Sequence, residues 1–226
     1  MQIVPIAHIE SDFATKFGVP RQSGLAPALR ARIVFEPDFR DEAALRGIEA
    51  FSHLWIIWGF SETLSHKWSP TVRPPRLGGN GRVGVFASRS PFRPNSLALS
   101  SVQLVSVEPL PKKGVSLVVA GADLMDGTPI YDIKPYIAYT DSHPEARCGF
   151  ADDVPKPLAE VVIPEELSGM LPPDKMEALR QVLSLNPIPA YHDEPERVYG
   201  FFFCGAEVRF VVADGILTVI GIEGDL

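Results

Sequence analysis

The chain has 226 residues, of which 46% are hydrophobic, and a formal net charge of −7. This is enough to bury a core without disulfides, and the acidic balance argues against a protein that coats nucleic acid nonspecifically. Cys148 and Cys204 match no metal-ligand spacing and indicate no disulfide framework. Since neither a basic leader nor an apolar run of about 18 residues occurs, the sequence predicts no signal peptide, no membrane partner and a cytoplasmic location.

Short runs rich in β-branched and aromatic residues, separated by turns with Pro and Gly, predict strands along the first 140 residues. These runs are Gln2–Ile6, Ala31–Phe35, Leu54–Phe60, Val83–Ala87, Leu97–Val107 and Val115–Ala120. Only Asp41–Arg46 suggests a helical turn in the first 140 residues. The pattern predicts a mainly β fold, with a single-sheet β-barrel over residues 1–140.

After Thr140 the character of the sequence changes, and residues 151–226 hold 14 acidic and 5 basic residues. A helix is predicted in which Asp174 caps the first turn and an apolar stripe faces a core, the stripe being Met176, Leu179, Val182 and Leu183. Strand-like runs then close the chain at Val198–Cys204, Val208–Val212 and Leu217–Ile222. Residues 141–226 are therefore predicted to form a smaller α+β domain.

Charge is unevenly distributed along the chain. From Thr63 to Val107 there are six basic residues and no acidic one, so this window carries +6 and the remainder −13. Five of the six are arginines, which bind phosphates and carboxylates through two parallel hydrogen bonds. The window predicts a local site for an anionic ligand on an otherwise acidic molecule.

Within this window, residues 79–84 match the pattern G-x-G-x-x-G of dinucleotide-binding proteins. That motif requires a preceding strand and a helix that begins at its end. Here Pro74-Pro75 precedes it and a predicted strand continues from Val83, so a dinucleotide site is rejected.

The most unusual segment is Ser88-Arg89-Ser90-Pro91-Phe92-Arg93-Pro94-Asn95-Ser96, which combines arginines, small polar residues and two prolines. Proline restricts the backbone, so the segment is suited to presenting polar side chains in fixed directions. A second polar cluster follows at Asp123–Pro129, and taken alone it is an ordinary Asp-Gly turn.

The segment Ser88–Asn95 is similar to the R-S-x-x-R-P-N signature of the TrmO (TsaA-like, YaeB-like) family of tRNA (adenine-N6)-methyltransferases. Other blocks resemble the family in the same order, namely Val19–Gln22 with Gly24-Leu25, Gly47–Trp55, Arg73–Asn80, Asp126–Pro129 and Asp132–Tyr136. The resemblance spans nearly the whole chain and is densest from Val19 to Tyr136.

The resemblance implies a β-barrel that binds S-adenosyl-L-methionine, a homodimer, and methylation of N6 of a threonylcarbamoyl-modified adenosine beside the anticodon of a tRNA. The cofactor-binding residues that it implies are Pro20, Arg21, Gln22, Ser61, Glu62, Arg89, Leu99, Asp123, Leu124 and Asp126. Ser61-Glu62 stands where the family usually has a His-Gln pair.

Chemistry suggests roles for further residues. The adenine amine is a poor nucleophile because its lone pair is delocalised, and our hypothesis is that Asn95 or Asp126 accepts a hydrogen bond from it. Four arginines are candidates for contacts with tRNA phosphates: Arg73, Arg76, Arg82 and Arg93. No metal is predicted.

Two alternatives remain open at this point. One is a non-enzymatic barrel that binds a small molecule as a sensor or interaction module. The other, a general RNA-binding barrel without a cofactor, fits less well with the acidic remainder of the chain.

Overall fold

The computed structural model of the protein describes residues 2–63, 67–74, 77, 81–152, 160–188 and 197–224. In chain order its strands are β1 (Ala7–Glu10), β2 (Arg30–Phe35), β3 (His53–Gly59), β4 (Thr71–Val72), β5 (Val83–Gly84), β6 (Leu97–Leu110), β7 (Gly114–Ala120), β8 (Pro129–Pro135), β9 (Glu160–Val162), β10 (Tyr199–Phe203), β11 (Ala206–Ala213) and β12 (Ile216–Glu223). The α-helices of the described residues are α1 (Ala138–Asp141) and α2 (Pro173–Ser184). The predicted mainly β fold is confirmed.

Six strands form one antiparallel sheet in the order β1-β2-β7-β6-β3-β8, and β1 also pairs with β8. Each of the six strands therefore has two neighbours, and the order closes on itself. Side chains alternate between the two faces of a strand, and the inward set is fully buried, as Ile9, Ile33, Leu54, Ile56 and Leu117 show. These residues form the first hydrophobic cluster.

The second sheet has the order β10-β11-β12-β9, in which β9 runs parallel to β12 and the other pairs are antiparallel. Helix α2 and this sheet share a second hydrophobic cluster, and all four residues of the predicted apolar stripe of α2 are buried. This second cluster also contains Phe203, Phe210 and Leu217 from the sheet. Helix and sheet together make the α+β part of the fold.

Residues 11–29, which we call the linking segment, connect β1 to β2 but pack on the second cluster. Phe13, Ala26 and Leu29 are buried there, and the Phe13 ring lies edge-on to Phe203 with centroids 5.5 Å apart. Lys175 Nζ of α2 contacts both carboxylate oxygens of Asp12, at 2.8 and 2.6 Å. The linking segment therefore joins the two clusters physically.

Most predicted strands agree with the structure to within a few residues, but the predicted strand Gln2–Ile6 is wrong, since those residues form no strand and β1 begins at Ala7. Ile3 and Val4 are exposed, whereas Ile6 packs against the first hydrophobic cluster. The predicted strand Val83–Ala87 ends at Gly84, because the backbone N–H and the hydroxyl of Ser88 both donate to the carbonyl of Val85 and close a 3-10 turn.

Two further differences concern polar residues. Asp174 does not cap α2, since the helix begins at Pro173 and places Asp174 in its first turn, where an acid still favours the positive end of the helix dipole. The local patterns predict no strand at β8, because Asp132 and Lys134 interrupt its apolar positions. The predicted turn at Asp41–Arg46 is present as a 3-10 helix, Glu42–Leu45, capped by Asp41.

Among the described residues, the helices are all too short or too polar to cross a membrane.

Candidate functional site

Three polar side chains form a hydrogen-bonded series that starts on β3, passes through β6 and ends at Asp123, which follows β7 in the sequence. The indole N–H of Trp58 donates to Ser100 Oγ at 2.9 Å, and Ser100 Oγ donates to Asp123 Oδ1 at 2.6 Å. Trp58 and Ser100 are only 8% and 2% exposed. Ser100 pairs with Ile56, an inward-facing residue of β3, so its side chain also points into the interior.

Asp123 is held away from water at the end of this series. Withdrawal from solvent raises the pKa of the Asp123 carboxyl above its ordinary value. Hydrogen bonds from Ser100 and from the backbone of Asp123 and Ser23, together with the positive charge of Arg89, act in the opposite direction and offset only part of the rise. The site therefore holds a carboxylate whose ionised form depends on its neighbours.

The linking segment and the proline-rich loop meet next to Asp123. The guanidinium of Arg89 donates to the side-chain oxygen of Gln22. The linking segment reaches this position because Gly24 N–H donates to the carbonyl of Gly121 at 2.8 Å. Gly121 has a φ of 72°, and a Cβ there would lie 3.1 Å from the Cα of Gly24, so only glycine permits this close approach.

The proline-rich loop, residues 88–96, is stiffened by hydrogen bonds within itself. Arg93 donates to the carbonyls of Ser88 and Val85 at 2.7 and 3.1 Å. The backbone N–H of Ser90 bonds to Ser88 Oγ, and that of Phe92 bonds to Ser90 Oγ. The loop thus presents Arg89 from a fixed backbone, as its prolines predicted.

The turn that follows Asp123 bonds to the linking segment. Asp126 Oδ1 accepts from Ser11 N–H at 2.9 Å, and Asp126 N–H donates to the carbonyl of Phe13 at 2.9 Å. Leu124 is buried in the first hydrophobic cluster, so its side chain faces the core and its backbone is what remains for a ligand. Asp126 is exposed, on a turn fixed from both directions.

Other predicted cofactor residues have varied environments. Pro20 is buried, whereas Arg21 is exposed and donates to the carbonyl of Ile188 at 3.2 Å. Ser61 and Glu62 are exposed in a 3-10 turn, Ser61–Thr63, just after β3. Leu99 is 52% exposed on the outer face of β6, opposite to the face that carries Ser100.

The residues predicted to act on the substrate differ in how they are held. Asn95 and Arg73 are exposed, and Arg82 is exposed with its guanidinium on Thr71 Oγ1. Arg93 is half-buried and occupied by the loop carbonyls, so its first role is structural. Arg76 lies outside the described residues.

The sequence did not single out Trp58 or Ser100 as site residues. Their only signal was positional, since a serine on the buried side of a strand needs a hydrogen-bond partner. Trp58 lies 42 positions from Ser100, and Asp123 lies 23 positions from it, so the contacts are long-range.

A groove of about 290 Å³ has a different lining, and Asp12, Arg30, Arg32 and Lys175 are among the residues that line it. Its charged groups already have partners: Arg32 pairs with Glu108 and Lys175 with Asp12. In the described part of the chain, no three His, Cys, Asp or Glu side chains are placed to hold a metal.

The chain is a mainly β protein whose six-stranded sheet has a closed pairing order, and Arg89, Gln22 and Asp123 lie close together beside that sheet. Residues 8–142 match the model of the tRNA-methyltransferase O N-terminal domain, and residues 164–225 match that of the TrmO C-terminal domain. The chain belongs to the tRNA-methyltransferase O family.

Individual relatives agree with this assignment. A tRNA (adenine(37)-N6)-methyltransferase of Escherichia coli is 39% identical over 98% of this chain and 97% of its own. A putative S-adenosylmethionine-dependent methyltransferase of Pseudomonas aeruginosa is 41% identical over 88% of this chain and 87% of its own. The crystal structure of TrmO from Pseudomonas aeruginosa superimposes with a TM-score of 0.81 at 33% identity, covering 99% of this chain and 98% of that one.

Proposed function

We propose that this protein is an S-adenosyl-L-methionine-dependent tRNA methyltransferase that methylates N6 of adenosine 37, next to the anticodon. The observation that carries the proposal is the meeting of Arg89, Gln22 and Asp123 from three distant segments of a chain in this family. A threonylcarbamoyl-modified adenosine is the proposed substrate base.

The donor groups of the cluster suit the cofactor. Arg89 carries a guanidinium for its carboxylate, Gln22 offers an amide, and Asp123 and Asp126 offer acceptors for an ammonium or for ribose hydroxyls. Pro20, Arg21 and Leu124 would add backbone and packing contacts, with Ser61 and Glu62 at the end of β3. When bound, S-adenosyl-L-methionine supplies a methyl group activated by its positively charged sulfur.

The residues around the cluster would align and shield the reacting amine. Methyl transfer depends on alignment of the two reactants more than on a strong base. Alignment alone can lower the activation barrier by roughly 7–11 kcal/mol. In our proposal, Asn95 or Asp126 accepts a hydrogen bond from the adenine N–H and leaves more electron density on nitrogen. Asp126 is suited to this because Ser11 and Phe13 fix its turn.

The tRNA contacts are proposed for the basic window. Arg73 and Arg82 are exposed there, and an anticodon loop presents unstacked bases with charged phosphates on either side. Arg76 is included from the sequence alone. Arg93 would reach a phosphate only at the expense of its bonds to the loop carbonyls.

A homodimer is proposed as the working form. Leu99, a predicted cofactor contact, points outward from β6, whereas Ser100 and Asp123 face inward. In our proposal, Leu99 and Asp123 of one chain therefore do not contact the same cofactor molecule. Leu99 of a second copy would resolve this. Light scattering should give a dimer mass, and Leu99→Asp should weaken both the dimer and cofactor binding; a monomeric wild type would contradict it.

The remaining parts of the description are proposals of the same kind. Residues 1–140 would be the cofactor-binding β-barrel and residues 141–226 the smaller α+β domain, and the closed pairing order supports the first of these. The proposed location is the cytoplasm, where tRNA and the cofactor meet.

Calorimetric titration with S-adenosyl-L-methionine, followed by mass spectrometry of nucleosides from incubated tRNA, tests the function. Methylated adenosine in the product is the expected result. Binding of the cofactor without methyl transfer would favour a sensor instead. Asn95→Ala should retain cofactor binding and lose turnover, and unchanged turnover would remove Asn95 from the mechanism.

A further inference from the structure

We infer that Trp58 and Ser100 are positioning residues: they fix the Asp123 carboxylate and, through it, the Arg89–Gln22 pair that receives the cofactor. The inference rests on the proposed function, because it assigns these two buried residues a role in cofactor binding. Neither touches the Arg89–Gln22 pair in the described contacts, so both act through Asp123.

The direction of the hydrogen bonds carries the argument. An indole N–H can only donate, so the oxygen of Ser100 must accept from Trp58. The single hydroxyl proton of Ser100 is then free to point at Asp123 Oδ1, 2.6 Å away. Trp58 is itself held edge-on against Phe60, with ring centroids 4.6 Å apart. Each donor therefore has one orientation, and Asp123 accepts a hydrogen bond from a fixed direction.

Asp123 passes this order on to the exposed part of the site. Its carboxylate also interacts with the backbone of Ser23 in the linking segment and with the charge of Arg89 in the proline-rich loop. Arg89 is the charged side chain that acts on Asp123 among the described residues, and Gln22 beside it is neutral. One carboxylate thus connects β6, the linking segment and the loop.

The ionised state of Asp123 depends on this arrangement. The hydroxyl of Ser100 lowers the pKa of Asp123 against the larger effect of burial. Removing that hydroxyl should raise the pKa of Asp123 further, so that the carboxylate loses its charge, and its hold on Arg89, at a higher pH than in the wild type. This change in pKa reports the hydrogen bond alone, so the positioning role requires that cofactor binding change with it.

Ser100→Ala tests the role, with Ser116→Ala as the matched control. Both remove a fully buried hydroxyl from neighbouring strands of the same sheet, but Ser116 bonds to Arg32 and to the carbonyl of Glu108. We expect Ser100→Ala to weaken S-adenosyl-L-methionine binding roughly tenfold, the scale of a lost hydrogen bond to a charged group. The pH at which binding is lost should rise as well, and Ser116→Ala should change neither.

Trp58→Phe keeps an aromatic ring at this position but removes the pyrrole part of the indole with its N–H, so it provides a second test if Ser100→Ala folds poorly. A carboxyl NMR titration of Asp123 in both variants requires no cofactor and should show a higher midpoint than in the wild type. Unchanged cofactor binding in both variants would overturn the positioning role, whether or not the midpoint moves. Failure of the wild type to bind S-adenosyl-L-methionine would instead overturn the proposed function while leaving the titration result interpretable.

Discussion

Arg89 and Gln22 are 67 positions apart in the chain, and the guanidinium of one donates to the side-chain oxygen of the other. Each was predicted separately as a cofactor residue, and the fold brings them into direct contact. The pair is exposed at its outer edge and bordered on the inside by Asp123. A ligand carboxylate that approaches Arg89 therefore meets a guanidinium that is already oriented.

Arg89→Lys should weaken cofactor binding about tenfold or more, because an ammonium cannot offer the parallel donors of a guanidinium. Calorimetric titration with S-adenosyl-L-methionine measures the change. Arg46→Lys is the control, because Arg46 is an exposed arginine that precedes β3 in the chain and is not among the predicted cofactor residues. This variant should bind the cofactor as the wild type does. Equal affinity for Arg89→Lys would remove Arg89 from the cofactor site.

Two arginines of the basic window should respond differently to substitution. Arg73→Ala removes an exposed cation and should lower the slope of log affinity for tRNA against log salt by about 0.7–0.9 without changing thermal stability. Arg93→Ala should destabilise the protein by about 1–2 kcal/mol, because the carbonyls of Ser88 and Val85 lose their donor. The reverse pattern in melting and salt titrations would contradict these assignments.

The carboxylate of Asp141 should contribute to stability above acidic pH. Hydrogen bonds from Ile137 N–H and then from the Trp55 indole lower the pKa of Asp141. A group whose pKa is lower in the folded state stabilises that state above its unfolded pKa and loses the effect as the pH falls through the folded value. Asp141→Asn should therefore lower the melting temperature at pH 7, and the difference should begin to shrink only below about pH 4 and disappear as the pH falls through the lowered pKa of Asp141.

The exposed Asp38 lies in a 3-10 turn at Pro37–Phe39 and serves as the control for this measurement. Asp38→Asn removes an exposed carboxylate and should leave the melting temperature at pH 7 unchanged. A difference between Asp141→Asn and the wild type that persists in acid would mean that shape rather than charge is responsible.

Gly18 should tolerate a side chain far less well than Gly47, although both have a positive φ, 94° and 88°. A Cβ at Gly18 would lie 2.4 Å from the ring of Phe201, whereas a Cβ at Gly47 meets nothing within 4 Å. Gly47→Ala should cost about 1–2 kcal/mol from backbone strain alone. Gly18→Ala should cost about 1–3 kcal/mol more because of overpacking, as measured by denaturant unfolding. Equal costs would contradict the packing against Phe201.

Local patterns were sufficient to predict much of the sheet. Strands such as β2, β7 and β11 are rich in β-branched and aromatic residues and lie between turns. Their predicted bounds therefore differ from the observed ones by no more than a few residues. The prediction failed where a turn was set by a side chain, as at Ser88, or where outward polar residues obscured the alternation, as in β8. These are effects of neighbours that a window of residues does not contain.

The site was predicted less completely, for a related reason. Family blocks indicated Gln22, Arg89 and Asp123, but nothing local marked Ser100, whose importance comes from its partners on β3 and beyond β7. The packing of Phe13 against Phe203 was equally hidden, since it joins residues from opposite ends of the chain.

The linking segment has a consequence for how this protein is made. Phe13 and Leu29 leave the ribosome well before the residues that pack on them between Leu171 and Ile222. Until then the nascent chain carries uncovered apolar side chains within a few residues of Gln22. A product truncated before Leu171 should therefore recruit chaperones or precipitate, and competence for the methyl donor should arise only after the residues up to Ile222 have been synthesised.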